Sequence, residues 1–258
     1  MFKRVAGKGG RDAAHASSDT FAHCPCAIFL LLILVCTLGA CAPTNSDSKG
    51  KGTSMGSEPK NERVIYAALG DSTGVGVGAK EGGYVARLFT RIRSLRPDSR
   101  LTNVCMSGAQ TEDVLRTQID TALAAHPTLV TLGIGINDVG HGVTVERFAR
   151  NYEEIVKRLK AETDGAIVVT NIPDISLAPV VPASMRDQVR ERVNLFNERI
   201  REIAERHALK VVDAYTNTQG IIASNPDFFS DDGFHPSDTG YERWAETMWP
   251  TVKAAIDE

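Results

Sequence analysis

The strongest constraint on how this chain folds is a set of short, predominantly apolar runs at residues 64–69, 129–134 and 166–172, with a shorter one at 210–212. A strand that is apolar at nearly every position has both faces buried, which is the condition of a parallel sheet covered by helices on two sides. Residues 100–105 supply one further short strand. Between the runs lie helical stretches at 84–95, 111–125, 145–162, 186–207 and 238–256; in the first, Val85, Leu88, Phe89 and Ile92 share one face. Strand and helix alternate without an internal repeat. The expected fold is α/β, a three-layer α/β/α sandwich around a central parallel sheet.

Upstream of the first run the chain changes character. Lys3, Arg4, Lys8 and Arg11 form a basic region, and an apolar run from Ala27 leads to Leu38, Gly39, Ala40 and Cys41. Basic region, apolar region and small residues in that order make a secretory leader, expected over residues 1–40. Even at its most generous, 27–40, the apolar run is about 14 residues, against the roughly 20 that a spanning helix needs. The small pair before Cys41 resembles the lipobox of bacterial lipoproteins. That resemblance implies cleavage before Cys41, a diacylglyceryl group on its sulfur and a place in the bacterial cell envelope. Ordinary cleavage with an unmodified cysteine is the alternative. Residues 42–62 are rich in Ser, Gly, Lys, Pro and Asn, and with Cys41 they read as a lipidated tether, 41–62, reaching tens of ångströms from a membrane. The domain proper is expected over 63–258.

Cysteine usage agrees with this division. Cys24, Cys26 and Cys36 leave with the leader, Cys41 carries lipid, and Cys105 is left alone in the domain as a small buried apolar side chain. A domain of about 200 residues builds a sufficient core without disulfide staples. The formal net charge of -3, and the lack of any basic stripe interleaved with aromatics, speak against a nucleic-acid partner.

Sheets of this kind place their sites at the carboxyl ends of strands. Ser72 follows the first run, within Gly70, Asp71, Ser72, Thr73, Gly74; Ser107 and Gly108 follow the second strand; Gly135, Ile136, Asn137 and Asp138 follow the third. A late segment holds Asp232, Gly233, Phe234, His235 and Pro236. Serine is a weak nucleophile unless a base, itself oriented by a third group, stands beside it. Asp232 lies three residues before His235, so it can bond one ring nitrogen and leave the other to accept the serine proton.

Serine, glycine, asparagine and histidine in this order, each after its strand, resemble the SGNH (GDSL) hydrolase superfamily of esterases and lipases, over about residues 64–249. The resemblance implies a flavodoxin-like fold and hydrolysis of an ester through an acyl-enzyme without any cofactor or metal. It implies Ser72 as nucleophile, His235 as general base and then acid, and Asp232 as its orienter. The backbone amides of Ser72 and Gly108 and the side-chain amide of Asn137 would form the oxyanion hole, each donor worth about 2.7 to 4 kcal/mol. Asp71 and Asp138 are read as structural, and His126, His141 and His207 as surface or helix-end residues. Taken alone, residues 135–138 also fit a strand-ending turn whose Asn and Asp bond their own backbone.

Rival motifs overlap the same ground. Residues 70–74 satisfy the GxSxG elbow of α/β-hydrolases, but that fold places several strands before its serine and here one does so. Gly74, Gly76 and Ala79 match a dinucleotide fingerprint too far from the strand, and a Walker pattern fails at Lys80 and Glu81. No HExxH or paired CxxC offers zinc ligands. The superfamily covers lipases, thioesterases and carbohydrate deacetylases, so the expected substrate is a small ester or lipid, with acetylated sugars as the alternative. Expected pocket walls are residues 73–83, 139–143 and the apolar 173–184. An idle, glycan- or partner-binding envelope lipoprotein is the alternative from another class.

Overall fold

A computed structural model describes residues 63–222 and 225–258. Cys41, with the expected leader and tether, lies outside the described residues. β1 (Ile65–Gly70) runs into a one-turn helix α1 (Ser72–Val75), then α2 (Tyr84–Leu95) and β2 (Arg100–Asn103). A broken helix follows, as α3 (Thr111–Asp113), a π turn (Val114–Gln118) and α4 (Ile119–Ala124). Next come β3 (Leu129–Gly133), α5 (Ile136–Gly140), α6 (Val145–Glu162) and β4 (Ala166–Thr170). Two 3-10 turns lead to α7 (Arg186–Arg206), β5 (Lys210–Val212) and α8 (Ala214–Ile222); a last 3-10 turn (Pro226–Phe228) precedes α9 (Asp238–Asp257).

The five strands are parallel, in the order β2-β1-β3-β4-β5. The apolar runs are explained by where alternate side chains go. Tyr66 and Ala68 enter one core with Leu88 and Ile92 of α2 and Tyr241 and Met248 of α9. Ala67 and Leu69 enter the opposite core with Tyr152 and Ile155 of α6 and Phe196 and Ile200 of α7. Fully burying each large side chain contributes roughly 1.5–3 kcal/mol, so both cores hold the sheet between its helices.

β1 lies between β2 and β3, so the chain leaves β1 toward one edge and later returns to its other side. That reversal opens a crevice at the carboxyl ends of β1 and β3. At the mouth of the crevice Gly70 faces Gly133, and a Cβ on Gly70 would sit 2.4 Å from the Gly133 carbonyl oxygen. Buried Gln118 fastens the same point, accepting from Gly70 N at 2.9 Å and donating to Gly70 O at 2.9 Å. The π turn, which inserts one residue into the helix, aims this amide at the strand end.

The structure departs from the sequence expectations at three elements. The helix expected over 111–125 is interrupted by the π turn. β2 is regular only to Asn103, whose side chain accepts from Cys105 N and donates to Gly74 O, although Val104 N and Met106 N still donate to Ala68 O and Gly70 O of β1. α8 was not expected, since its Thr, Asn and Gly residues carry no helical periodicity. Tertiary contacts hold it: Ala214 is buried and Asn171 Oδ1 accepts from Tyr215 N.

Candidate active site

The turn after β1 presents Ser72 at the first position of α1. Asp71 caps that helix, its Oδ1 accepting from Thr73 N at 2.9 Å and Thr73 Oγ1 at 2.8 Å. Ser72 is 7% exposed. Its Oγ lies 2.9 Å from His235 Nε2, across 163 residues of sequence.

His235 arrives on a hairpin. Ser230 N donates to His235 O at 2.8 Å, Ser237 N to Phe228 O at 2.9 Å, and Phe229 pairs with Pro236. Ser237 then caps α9 through Gly240 N. Within the hairpin Asp232 Oδ2 lies 2.5 Å from His235 Nδ1, while Oδ1 accepts from Phe234 N and His235 N, both at 2.8 Å, and from Ser230 Oγ at 2.9 Å. Burial pushes the Asp232 carboxyl upward, but the bonds from His235, Phe234 and Ser230 outweigh it and hold the group well below the usual carboxylate range. An ionised Asp232 requires the proton on Nδ1, which leaves Nε2 as the acceptor for the Ser72 hydroxyl.

The other expected residues lie in the turns after β2 and β3, the strands that flank β1. Gly108 has a φ of +79°, a conformation glycine adopts without strain, and a Cβ there would meet nothing within 4 Å, so its backbone stands open to a ligand. Asn137 on α5 donates one amide hydrogen from Nδ2 to Ala109 O at 2.9 Å, which leaves the second for another acceptor. Buried Asp138 ties this turn to the Gly108 turn, accepting from Thr111 N at 3.0 Å and Thr111 Oγ1 at 2.6 Å. Residues 135–138 therefore form a helix start that also presents a free amide.

Asp71 differs from Asp232 in having one oxygen, Oδ2, buried without a partner. Burial raises its carboxyl from 3.8 to about 6, against the bonds from Thr73. A group raised in the folded state supports folding fully below its unfolded value and loses that support as pH rises through the folded one. The loss is about 3 kcal/mol. Wild-type stability is therefore expected to carry a downward contribution from about pH 4 to about pH 6, between the unfolded and folded values. Asp71→Asn, which keeps an acceptor for Thr73, removes it; thermal unfolding at both pH values checks this, and an unchanged slope in the variant refutes it.

An open cleft adjoins the pair, with His235 and Thr73 in its wall. Its other walls include Ile175, Ala178, Ala214, Phe228, Phe234 and Trp244. The expected wall at 173–184 is partly right, whereas 139–143 does not line the cleft and α8, α9 and the histidine hairpin do. Among the remaining histidines, His126 is exposed, His207 ends α7 beside Glu153 Oε1 at 2.9 Å, and His141 Nδ1 meets Asn137 O at 2.9 Å. Two supporting residues had no sequence signal. Gln118 lies inside a helical stretch, and Arg192 reaches from α7 to Val139 O at 3.0 Å and to Val143 O, holding the end of α5. Among the described residues, no group of three or more His, Cys, Asp and Glu could hold a metal ion.

A Bacillus subtilis (strain 168) protein, "Uncharacterized protein YpmR", is 23% identical over 248 residues, spanning 87% of this chain and 94% of its own length. Among the solved structures that share the fold, the acetylxylan esterase Axe2 of Geobacillus stearothermophilus superposes with a TM-score of 0.61 at 19% identity, covering 73% of this chain and 94% of that one. A lipase/acylhydrolase from Enterococcus faecalis gives 0.60 at 24% identity, covering 74% and 96%. Variants of Axe2 described as catalytic mutants replace a serine, an aspartate and a histidine, the aspartate three positions before the histidine. The model of the GDSL-like Lipase/Acylhydrolase family matches residues 68–243, and the chain belongs to that family, within the SGNH hydrolase superfamily, as a hydrolase of ester bonds.

Proposed function

We propose that the protein is a serine esterase working through an acyl-enzyme, with Ser72 as nucleophile, His235 as general base and acid, and Asp232 as orienter. The supporting observation is the unbroken relay from Asp232 Oδ2 to His235 Nδ1 at 2.5 Å and from His235 Nε2 to Ser72 Oγ at 2.9 Å. The same residue types, with the same aspartate-to-histidine spacing, are the ones replaced in the catalytic mutants of Axe2. Ser72 Oγ adds to the ester carbonyl while its proton passes to Nε2. The oxyanion turns toward the amides of Ser72 and Gly108 and Asn137 Nδ2. His235 then protonates the departing alcohol, and a water molecule, activated by the same imidazole, releases the acid and restores Ser72.

The proposal includes export, with cleavage before Cys41, a diacylglyceryl anchor on its sulfur and the domain held at the bacterial cell envelope by the tether 42–62. Its support is the order of basic region, apolar run and small pair before Cys41. A carbohydrate O-acetyl esterase is the second reading, favoured by the name of the Axe2 neighbour. Labelling with a fluorophosphonate tests the catalytic core of the proposal, because this probe reacts with activated serines. The expected result is one adduct, on the peptide containing Ser72; no adduct leaves the non-catalytic glycan- or partner-binding reading in its place.

A further inference from the structure

The cleft beside His235 bears on what the ester looks like. A site for a sugar needs several polar groups free to meet hydroxyls, since each hydroxyl brought in without a partner loses its bonds to water. The cleft has polar residues, but most are already engaged with the protein. Thr73 Oγ1 donates to Asp71 Oδ1 at 2.8 Å, Thr218 Oγ1 to Ala214 O, and Thr247 Oγ1 to Arg243 O at 3.1 Å. Asn217 Nδ2 donates to Asp213 O at 2.6 Å, and Arg243 Nη1 pairs with Glu246 at 3.0 Å. Asp174, 1% exposed, accepts from Ser176 N at 3.2 Å with one oxygen and from Gln219 Nε2 at 3.1 Å with the other. The indole N–H of Trp244 is buried and has no partner. Beside it, the remaining N–H groups of Arg243 and the second amide hydrogen and Oδ1 of Asn217 are what the cleft leaves to a polar ligand.

What the cleft offers instead is carbon. The 3-10 turn after β4 contributes Ile175, α8 contributes Ile222, the hairpin contributes Phe228 and Phe234, and the ring of Trp244 closes the wall from α9. Phe234 stands edge-on to the imidazole, their centroids 5.2 Å apart, so the apolar wall continues to the catalytic pair. A chain bonded at the reacting carbon or at its leaving oxygen can therefore enter the cleft while the carbonyl stays at Ser72.

We propose that this cleft holds a linear hydrocarbon arm of the ester, and that the substrates carry aliphatic chains of medium length or more and are not acetylated sugars. The inference rests on Ser72 being the nucleophile. Each methylene taken from water raises kcat/KM by about fourfold until the cleft is filled.

Two series of esters read this on the purified protein. One holds p-nitrophenol constant and lengthens the acyl chain from acetyl to decanoyl; the other holds acetate constant and lengthens the alcohol from ethyl to decyl. A rise in the first places the acyl arm in the cleft, and a rise in the second places the alcohol arm there. Either supports the proposal, and the expected gain from the two-carbon to the eight-carbon member is about a hundredfold or more. Thr218→Phe, which narrows the cleft from α8, is expected to lower the eight-carbon to two-carbon ratio by about tenfold. Ala178→Leu narrows the cleft from the loop after β4 and serves should the first variant fail to fold. Flat or falling rates in both series, or faster turnover of acetylated xylooligosaccharides than of the octanoyl ester, overturn the proposal. Fluorophosphonate labelling separates the two levels: an adduct on Ser72 with flat series sinks the cleft assignment alone, while no adduct sinks the catalytic reading beneath it.

Discussion

Replacing Ser72 by alanine is expected to lower kcat for a p-nitrophenyl ester by on the order of a millionfold, to the level of the uncatalysed reaction and the residual help of the oxyanion donors. The magnitude follows from what the hydroxyl does. It forms the bond that splits one difficult hydrolysis into two easier steps, and no neighbouring group stands ready to replace it. Nothing in its packing ties stability to that oxygen. Ser72 Oγ bonds His235 Nε2, while the turn itself is held by Asp71 on Thr73 and by Gln118 on Gly70. Folding should survive, so circular dichroism and thermal unfolding of Ser72→Ala are expected to match the parent. His235→Ala should cost about as much, and the double variant little more, because residues acting as one unit do not contribute additively. An alanine variant that turned over the ester at the parent rate would falsify the assignment.

The sequence makes the fold legible for a specific reason. β1, β3 and β4 are buried on both faces, so their apolar runs are nearly continuous and bounded by polar turns, and the amphipathic helices α2 and α6 show their core faces by spacing. Strand order was not readable that way; it depends on which helices fill which face, a property of the assembled layers. The site was legible where its chemistry is concentrated in short segments. Ser72 follows a strand, and Asp232 reaches His235 within one hairpin. Residues that act by holding backbone left no trace. Gln118 and Arg192 sit in helical stretches whose other residues look ordinary, and their roles appear only once Gly70 and Val139 are brought within 3.0 Å of them. α8 is the same case on a larger scale: its local preference is weak beyond the cap from Asp213, and the contact from Asn171 to Tyr215 N holds it. The cleft wall it builds was therefore missed, and with it the main clue to the form of the substrate.

Asp232→Asn carries the second large effect, a loss of about ten-thousandfold in kcat with little change in KM. This hairpin dictates how the new amide would sit. Oδ1 of Asp232 accepts from the backbone N–H groups of Phe234 and His235, so an asparagine must keep its carbonyl oxygen there and turn its NH₂ toward His235 Nδ1. That NH₂ can only donate, so Nδ1 must accept, and the imidazole proton moves to Nε2. The ring then points a donor at the Ser72 hydroxyl and has no lone pair with which to take its proton. Shape is preserved and chemistry is lost, because the tautomer is wrong. Because bonds to the ionised carboxylate support the fold, while the side chain is 46% exposed and screened, a modest fall in melting temperature is expected with the variant still folded at assay temperature. Hydrolysis of the preferred ester by the folded variant checks this. A loss smaller than about tenfold means that Asp232 does not set the tautomer, and the orienting role must pass to another group on the ring.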